Sequence, residues 1–164
     1  MNWYLTVVRD NYFNFKSRAR RKEYWMFYLF YILLSILTLL LDYLLGTKFV
    51  IDDQPIGGGY INTLFSICHI IPVSGVTVRR LHDTGKSGYW VLYPLAGYLL
   101  GAIGIITMNF NLIFGMIIIG ISGIGLLVIF IMLLVFMFKD SHPGENKYGI
   151  SPKYGMGDKS EDEN

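Results

Sequence analysis

Arg79-Arg80-Leu81-His82-Asp83-Thr84-Gly85-Lys86-Ser87-Gly88 is a polar stretch set between two apolar runs, each long enough to cross a membrane. Five of its ten residues are charged or able to take up a proton. A bilayer's hydrocarbon core is about 30 Å thick and a helix rises about 1.5 Å per residue, so about 20 apolar residues span it. Reading outward in both directions gives four such runs, at 24–45, 59–78, 89–107 and 112–138. They predict an all-α integral membrane protein with four transmembrane helices. Residues 1–138 form one polytopic membrane domain, and 139–164 a partly disordered tail whose stretch from Asp140 to Tyr154 is suited to docking.

Composition excludes an ordinary soluble domain: of 164 residues, 53% are hydrophobic and 16% charged, with a mean hydropathy of +0.44. The single cysteine, Cys68, excludes an intrachain disulfide and reads as a small buried apolar residue. No small-residue cleavage site accompanies the first run, so it is expected to stay as an anchor. Ahead of it, Trp3, Tyr4, Leu5, Val7, Val8, Tyr12 and Phe15 share an arc of about 200° on a helical wheel, opposite Arg9 and Lys16. That pattern predicts an N-terminal amphipathic interfacial helix lying on the membrane.

Charge sets the orientation. Of 14 Lys and Arg residues, six precede the first run, three lie in the central stretch, four follow the last run, and only Lys48 is on the other side. The positive-inside rule then places both termini and the Arg79 to Gly88 stretch in the cytoplasm, with Tyr24 and Trp25 as interfacial aromatics. The segment from Gly46 to Gly58 reads as an exposed, acidic loop. Asp42 is the sole acid in the four runs, and its depth predicts a hydrated interfacial carboxylate. His69 reads as a packed, hydrogen-bonded histidine. Pro72 should kink the second helix, with Thr63, Ser66 or Ser74 meeting the freed carbonyl. Gly97, Gly101 and Gly104 line one face at helix-packing spacing, and Gly120, Gly123 and Gly125 suggest close packing on the fourth run.

Several chemical motifs fail on spacing. Gly85-Lys86-Ser87 imitates the end of a P-loop, but the upstream glycine that motif requires is Arg80 here. No cofactor and no nucleic-acid partner are expected. His82 beside Asp83 is a general-base pairing only in a turn, because neighbours on a helix point apart. Asp140 and His142 would complete a two-histidine, two-carboxylate metal site with them. The structural alternative has Asp83 accepting from Arg79 or Arg80 while Thr84 to Gly88 makes the turn into the third helix. Cations beside an anionic leaflet contribute about 1 kcal/mol each. The expected binding cluster is therefore Arg18, Arg20, Arg21, Glu23, Trp25, Arg79, Arg80, His82, Asp83 and Lys86, taking anionic lipid headgroups or a membrane protein partner, with homo-oligomerisation left open. The leading expectation is a non-enzymatic module. A small transporter or channel component using Asp42 and His69, and a membrane-surface enzyme using His82 and Asp83, are the alternatives.

Three segments carry a resemblance. Phe15-Lys16-Ser17-Arg18-Ala19-Arg20-Arg21-Lys22-Glu23-Tyr24-Trp25, the central stretch extended through Tyr89-Trp90, and Pro143-Gly144-Glu145-Asn146-Lys147-Tyr148-Gly149 together resemble the YhaH-like family of small bacterial inner-membrane proteins. That family is a domain of unknown function, so the resemblance implies a bacterial inner-membrane location and no activity. Ser17 stands where the family often has glycine, and Tyr89 where it often has tryptophan; both departures spare the charged positions.

Overall fold

A computed structural model describes residues 3–51 and 54–155. A short helix α1 (Trp3–Leu5) runs into a π-helical turn (Thr6–Asp10). The spanning helix α2 (Arg21–Leu45) follows, then strands β1 (Lys48–Ile51) and β2 (Gln54–Gly59), then helix α3 (Tyr60–Asp83). A 3-10 turn (Gly88–Leu92) leads into α4 (Tyr93–Met108), and α5 (Leu112–Phe138) precedes the two-residue strands β3 (Glu145–Asn146) and β4 (Gly149–Ile150). Four helical segments are long and apolar enough to span: Arg21–Leu45, Tyr60–Asp83, Gly88–Met108 and Leu112–Phe138. Two of them reach further than the apolar runs. Helix α2 starts at Arg21 and α3 continues to Asp83, because apolar length limits only the part in hydrocarbon while the backbone ladder runs on through the charged turns.

The first half of the central stretch is thus the last turn of α3, and the loop begins only at Thr84. Gly85 sits at φ +76°, the left-handed conformation that reverses the chain there. Ser87 caps the 3-10 turn, accepting from the N–H of Tyr89 at 3.4 Å.

At the opposite face, Gly46 ends α2 in the left-handed conformation, φ +68°. The segment expected to be a loop is an antiparallel hairpin, with Lys48 opposite Gly59 and Val50 opposite Pro55. Asp42 is buried rather than hydrated. Its carboxylate accepts from the Thr47 hydroxyl at 2.6 Å and from the N–H groups of Ile61 and Asn62 at 3.0 and 2.8 Å. The physical reason is the start of α3, whose first N–H groups lack intrahelical acceptors and whose dipole favours an anion. Gly59 permits that approach, since a Cβ there would lie 2.4 Å from the Asp42 carboxyl carbon.

The N-terminal segment is helical from Trp3 to Asp10, its Val7 is fully buried, and the chain packs along α2 and α3. Pro72 has no N–H, which frees the carbonyl of Cys68 four residues earlier. The Tyr12 hydroxyl donates to that carbonyl at 2.7 Å, in place of the threonine or serines expected from the sequence. Cys68 itself faces outward and is exposed, not buried. Tyr4 stacks on Phe27 with ring centres 5.7 Å apart, and its oxygen lies 2.6 Å from Nε2 of the buried His69. Nδ1 of His69 is 2.7 Å from the carbonyl of Phe65. A carbonyl only accepts, so Nδ1 holds the proton and Tyr4 donates to Nε2.

Helices α4 and α5 form an antiparallel hairpin, connected through a turn in which Asn111 caps α5 by accepting from the N–H of Phe114 at 3.0 Å. Gly97 lies against Leu126, Gly101 against Ser122, and Gly104 against Ile118 and Ile119. Ser122 donates to the carbonyl of Gly97 at 2.7 Å. On α5 the close approach is at Gly115, whereas Gly120, Gly123 and Gly125 have no neighbour within 4 Å of a would-be Cβ, contrary to the packing role expected for them. Most apolar side chains of the spans point outward, as a lipid-solvated bundle permits. The buried apolar cluster is small: Val7, Ala19, Tyr24, Phe27, Val76, Leu81 and Met137.

Candidate functional site

The end of the bundle where α2 begins and α3 and α5 end gathers the three motifs around one carboxylate. Asp83 is fully buried. Its Oδ1 accepts from Arg18 Nε at 3.1 Å, and its Oδ2 accepts from Arg80 Nη1 and the Ser141 hydroxyl, each at 2.5 Å. Its backbone carbonyl accepts from the N–H of His142 at 2.9 Å.

Arg18 uses every donor it has. Besides Asp83 Oδ1 it reaches the carbonyls of Gly144 and Gly149 at 2.9 Å through Nη1, and those of His142 at 2.6 Å and Asp83 at 3.4 Å through Nη2. Arg80 turns its remaining donors to the end of α5, donating to the carbonyl of Met137 from Nε and Nη2 and to that of Lys139. Those carbonyls have no intrahelical donor, so Arg80 is a side-chain cap for a spanning helix two helices later in sequence. Arg79 pairs with Glu23 at 2.7 Å, and its backbone carbonyl accepts from the N–H of Ala19 at 3.0 Å. Three buried guanidinium groups thus face two carboxylates. The surplus positive charge sits where α3 and α5 both end, and each C-terminus carries about half a negative elementary charge.

His82 points away from Asp83. Its ring stacks on Tyr148 with centres 3.6 Å apart and planes 6° apart, and its Nδ1 lies 3.4 Å from the carbonyl of Ser17. Asn146 donates to the His82 carbonyl at 3.0 Å. The histidine and the carboxylate of the supposed general-base pair are therefore each engaged elsewhere. Asp140 pairs with Lys153 at 2.5 Å, and His142 is exposed. Among the described residues no group of three His, Cys, Asp or Glu side chains is placed to hold a metal ion, so the two-histidine, two-carboxylate site is not assembled.

The expected cluster divides in two. Arg18, Glu23, Arg79, Arg80, His82 and Asp83 are buried, which removes them from a contact surface; the tail packs directly on Arg18, His82 and Asp83. Arg20 is half-buried, and Arg21 and Lys86 are exposed. Trp25 is half-buried against Phe138, ring centres 4.6 Å apart, and Lys86 lies 5.3 Å from the centre of the Phe136 ring. Sequence reasoning missed Ser141, Asn146 and Tyr148 as members of the cluster. The signal was the glycine-rich stretch Pro143 to Gly149, where Gly144 and Gly149 adopt φ +68° and +111° and turn the tail back onto α3.

Outside this core, an open pocket of about 290 Å³ lies between α1, the start of α2 and the tail. Trp3, Arg20, Arg21, Lys22, Asp140, Ser141 and Lys153 line it. Hydrogen bonds from Lys153 and the N–H of Ser141, with a weaker one from Tyr154, hold the Asp140 carboxyl well below its usual range, at about 2. The same contact raises Lys153.

The stretch that carries this geometry, from Tyr12 to Ile150, is the stretch matched by a family model described as a protein of unknown function (DUF805). The chain belongs to the DUF805 family. Two inner-membrane proteins of Escherichia coli strain K12 are similar to it over nearly their whole length. Inner membrane protein YhaH is 36% identical over 153 residues, covering 93% of this chain and 98% of the relative. Inner membrane protein YhaI is 32% identical over 158 residues, covering 94% and 98%. The uncharacterized protein YiiR is 29% identical over 94 residues, covering 57% and 58%. No solved structure matches the chain. For this DUF805 protein, the four spanning helices and the inner-membrane relatives agree on an integral inner-membrane protein.

Proposed function

We propose that this DUF805 protein is a non-enzymatic inner-membrane module whose basic face lies in the cytoplasm and binds anionic lipid headgroups. The observation that carries the reading is the segregation of its cations. Arg18, Arg79 and Arg80 are spent on internal contacts, while Arg21, Lys22, Lys86, Lys139, Lys147 and Lys153 stand exposed around the same end of the bundle. A rim of that kind attracts an anionic leaflet electrostatically. In favour of a non-enzymatic role, His82 and Asp83 are each locked in structural contacts. Against the transporter reading, Asp42 and His69 each serve as structural hydrogen-bond partners.

Two measurements test this. In a Cys68→Ser background, Ser87→Cys should resist an impermeant thiol reagent in intact cells while Gln54→Cys reacts; the reverse would overturn the orientation. For binding, acidic lipid retained after extraction should fall sharply when Arg21, Lys22, Lys86 and Lys147 are replaced together by glutamine. Equal retention by the folded variant and the parent would reject lipid binding.

A further inference from the structure

We propose that the pocket between α1, the start of α2 and the tail is a seat for one phosphate of an anionic lipid headgroup, and that filling it holds the tail down. The proposal rests on the headgroup-binding reading and gives it a location. Charge is the first argument. Four cations and one acid line the pocket, and the acid is already occupied, with Asp140 taking Lys153 at 2.5 Å and Tyr154 at 3.3 Å. Arg20 and Arg21 spend only long contacts, 3.5 Å to the carbonyl of Lys153 and 3.4 Å to that of Phe138. Lys22 has no side-chain partner among the described residues. Three cations therefore remain available, two of them with planar forks suited to phosphate oxygens.

The second argument is independent of side-chain charge. Helix α2 is 25 residues long, and its N-cap, Arg20, makes no side-chain capping bond. Glu23, the acid in the first turn, is drawn away to Arg79. The first N–H groups of α2 thus have no side-chain acceptor, and Arg21 and Lys22, which carry two of them, line the pocket, so an anion seated there can complete the cap. The third argument concerns source. Trp3 forms one wall, on the segment that packs along α2 and α3, so the pocket lies where headgroup and acyl chain meet. Free phosphate would use the cations but not this wall. Phosphatidylcholine brings the same phosphate together with a trimethylammonium that the cations repel, so the seat selects a headgroup of net negative charge.

Three of the wall residues, Asp140, Ser141 and Lys153, belong to the tail, and Ser141 also donates to Asp83. A ligand that touches both α2 and the docked tail binds that state and not the undocked one, so it must shift the tail toward docking.

The test uses the full chain reconstituted in phosphatidylcholine vesicles, with and without phosphatidylglycerol, and also with inorganic phosphate alone. Lipid retention is read by native mass spectrometry, and tail docking by the rate of limited proteolysis after residue 139. Arg20→Gln with Lys22→Gln removes two pocket cations; Lys86→Gln with Lys147→Gln removes the same charge elsewhere on the face. We expect the pocket pair to lose phosphatidylglycerol retention by about tenfold or more and to abolish its protection of the tail, while the distant pair changes both by less than about threefold. Equal losses from the two pairs would overturn the seat and leave the diffuse basic rim standing. No loss from either would overturn both readings. Protection of the tail by inorganic phosphate equal to that by phosphatidylglycerol would overturn the lipid assignment. Arg21→Gln with Lys22→Gln, which spares the Arg20 N-cap, provides a second pair with the same expected loss should the first pair fail to fold.

Discussion

Arg18 and Arg79 are both buried arginines paired with a carboxylate, yet their forks are used differently. Arg18 places five contacts, four of them on backbone carbonyls or the Asp83 carboxylate within 3.1 Å. Arg79 places one, on Glu23, and its Nε and Nη2 are buried without a partner. Lysine keeps a charge but loses the fork, so the two replacements should separate. Arg18→Lys is expected to lower stability by about 2 to 4 kcal/mol, the net worth of several hydrogen bonds, and Arg79→Lys by about 1 kcal/mol or less. Thermal unfolding in detergent measures both; a larger loss from Arg79→Lys would contradict the assignment of Arg18 as the clamp. The same reasoning explains why the site was only partly legible. Charge density and spacing marked Arg18, Arg79, Arg80 and Asp83 as belonging together. Burial depended on the tail, whose Ser141 and Asn146 carry no signal of their own in a polar segment.

The helices themselves were the most legible part, because about 20 apolar residues in a row have one stable use. What the sequence left open was how each helix end and break is satisfied, since the partner comes from elsewhere in the chain. Pro72 announces a freed carbonyl, but its donor is Tyr12, 56 residues from Cys68. Tyr12→Phe should cost about 1 kcal/mol, and the cost should vanish in a Pro72→Ala background, where the new N–H meets the carbonyl of Cys68 instead. A loss that persists in the double variant would assign Tyr12 some other role. The tail offers a second contrast. Asp140 is held near 2 against an ordinary 3.8, so its pairing with Lys153 stabilises the docked tail above pH 3.8 and is lost as pH falls toward 2. Lys153 is raised above 10.5, so its part persists through neutral pH and disappears only above that value. Both groups are exposed, so about 1 M salt, with a Debye length near 3 Å, should weaken this pair while leaving the buried Asp83 contacts intact. Spectroscopic distances from a label at Lys147 to α3 at neutral pH, in low and high salt, check this; release of the whole tail by salt alone would show that Asp83 is not its main anchor.

At the scale of the molecule, the α4 and α5 hairpin packs on itself far more than on α2 and α3, and it meets them mainly at the basic end. There Arg80 holds the end of α5, Trp25 packs on Phe138, and Trp90 packs on Phe136 with ring centres 5.2 Å apart. Asp83 joins Arg80, the segment before α2 through Arg18, and the tail through Ser141 and His142. Asp83→Ala leaves two buried guanidinium groups facing each other across the vacated position, a change that typically costs about 3 to 5 kcal/mol. The spanning helices need not unfold, because their backbone bonds are internal and lipid solvates their sides. Hydrogen exchange should therefore accelerate by about a hundredfold or more in residues 16–20 and 139–151 and stay slow in the middle of α2 and α5. Adding Arg18→Met removes one of the two stranded charges. If the loss in Asp83→Ala is mainly that of an unpaired buried cation, the double variant should recover part of the protection in 139–151, even though four further contacts are gone. If the loss is mainly that of hydrogen bonds, the double variant should exchange faster still, and Asp83 would then be an acceptor for the tail rather than the charge that makes burying Arg18 and Arg80 tolerable.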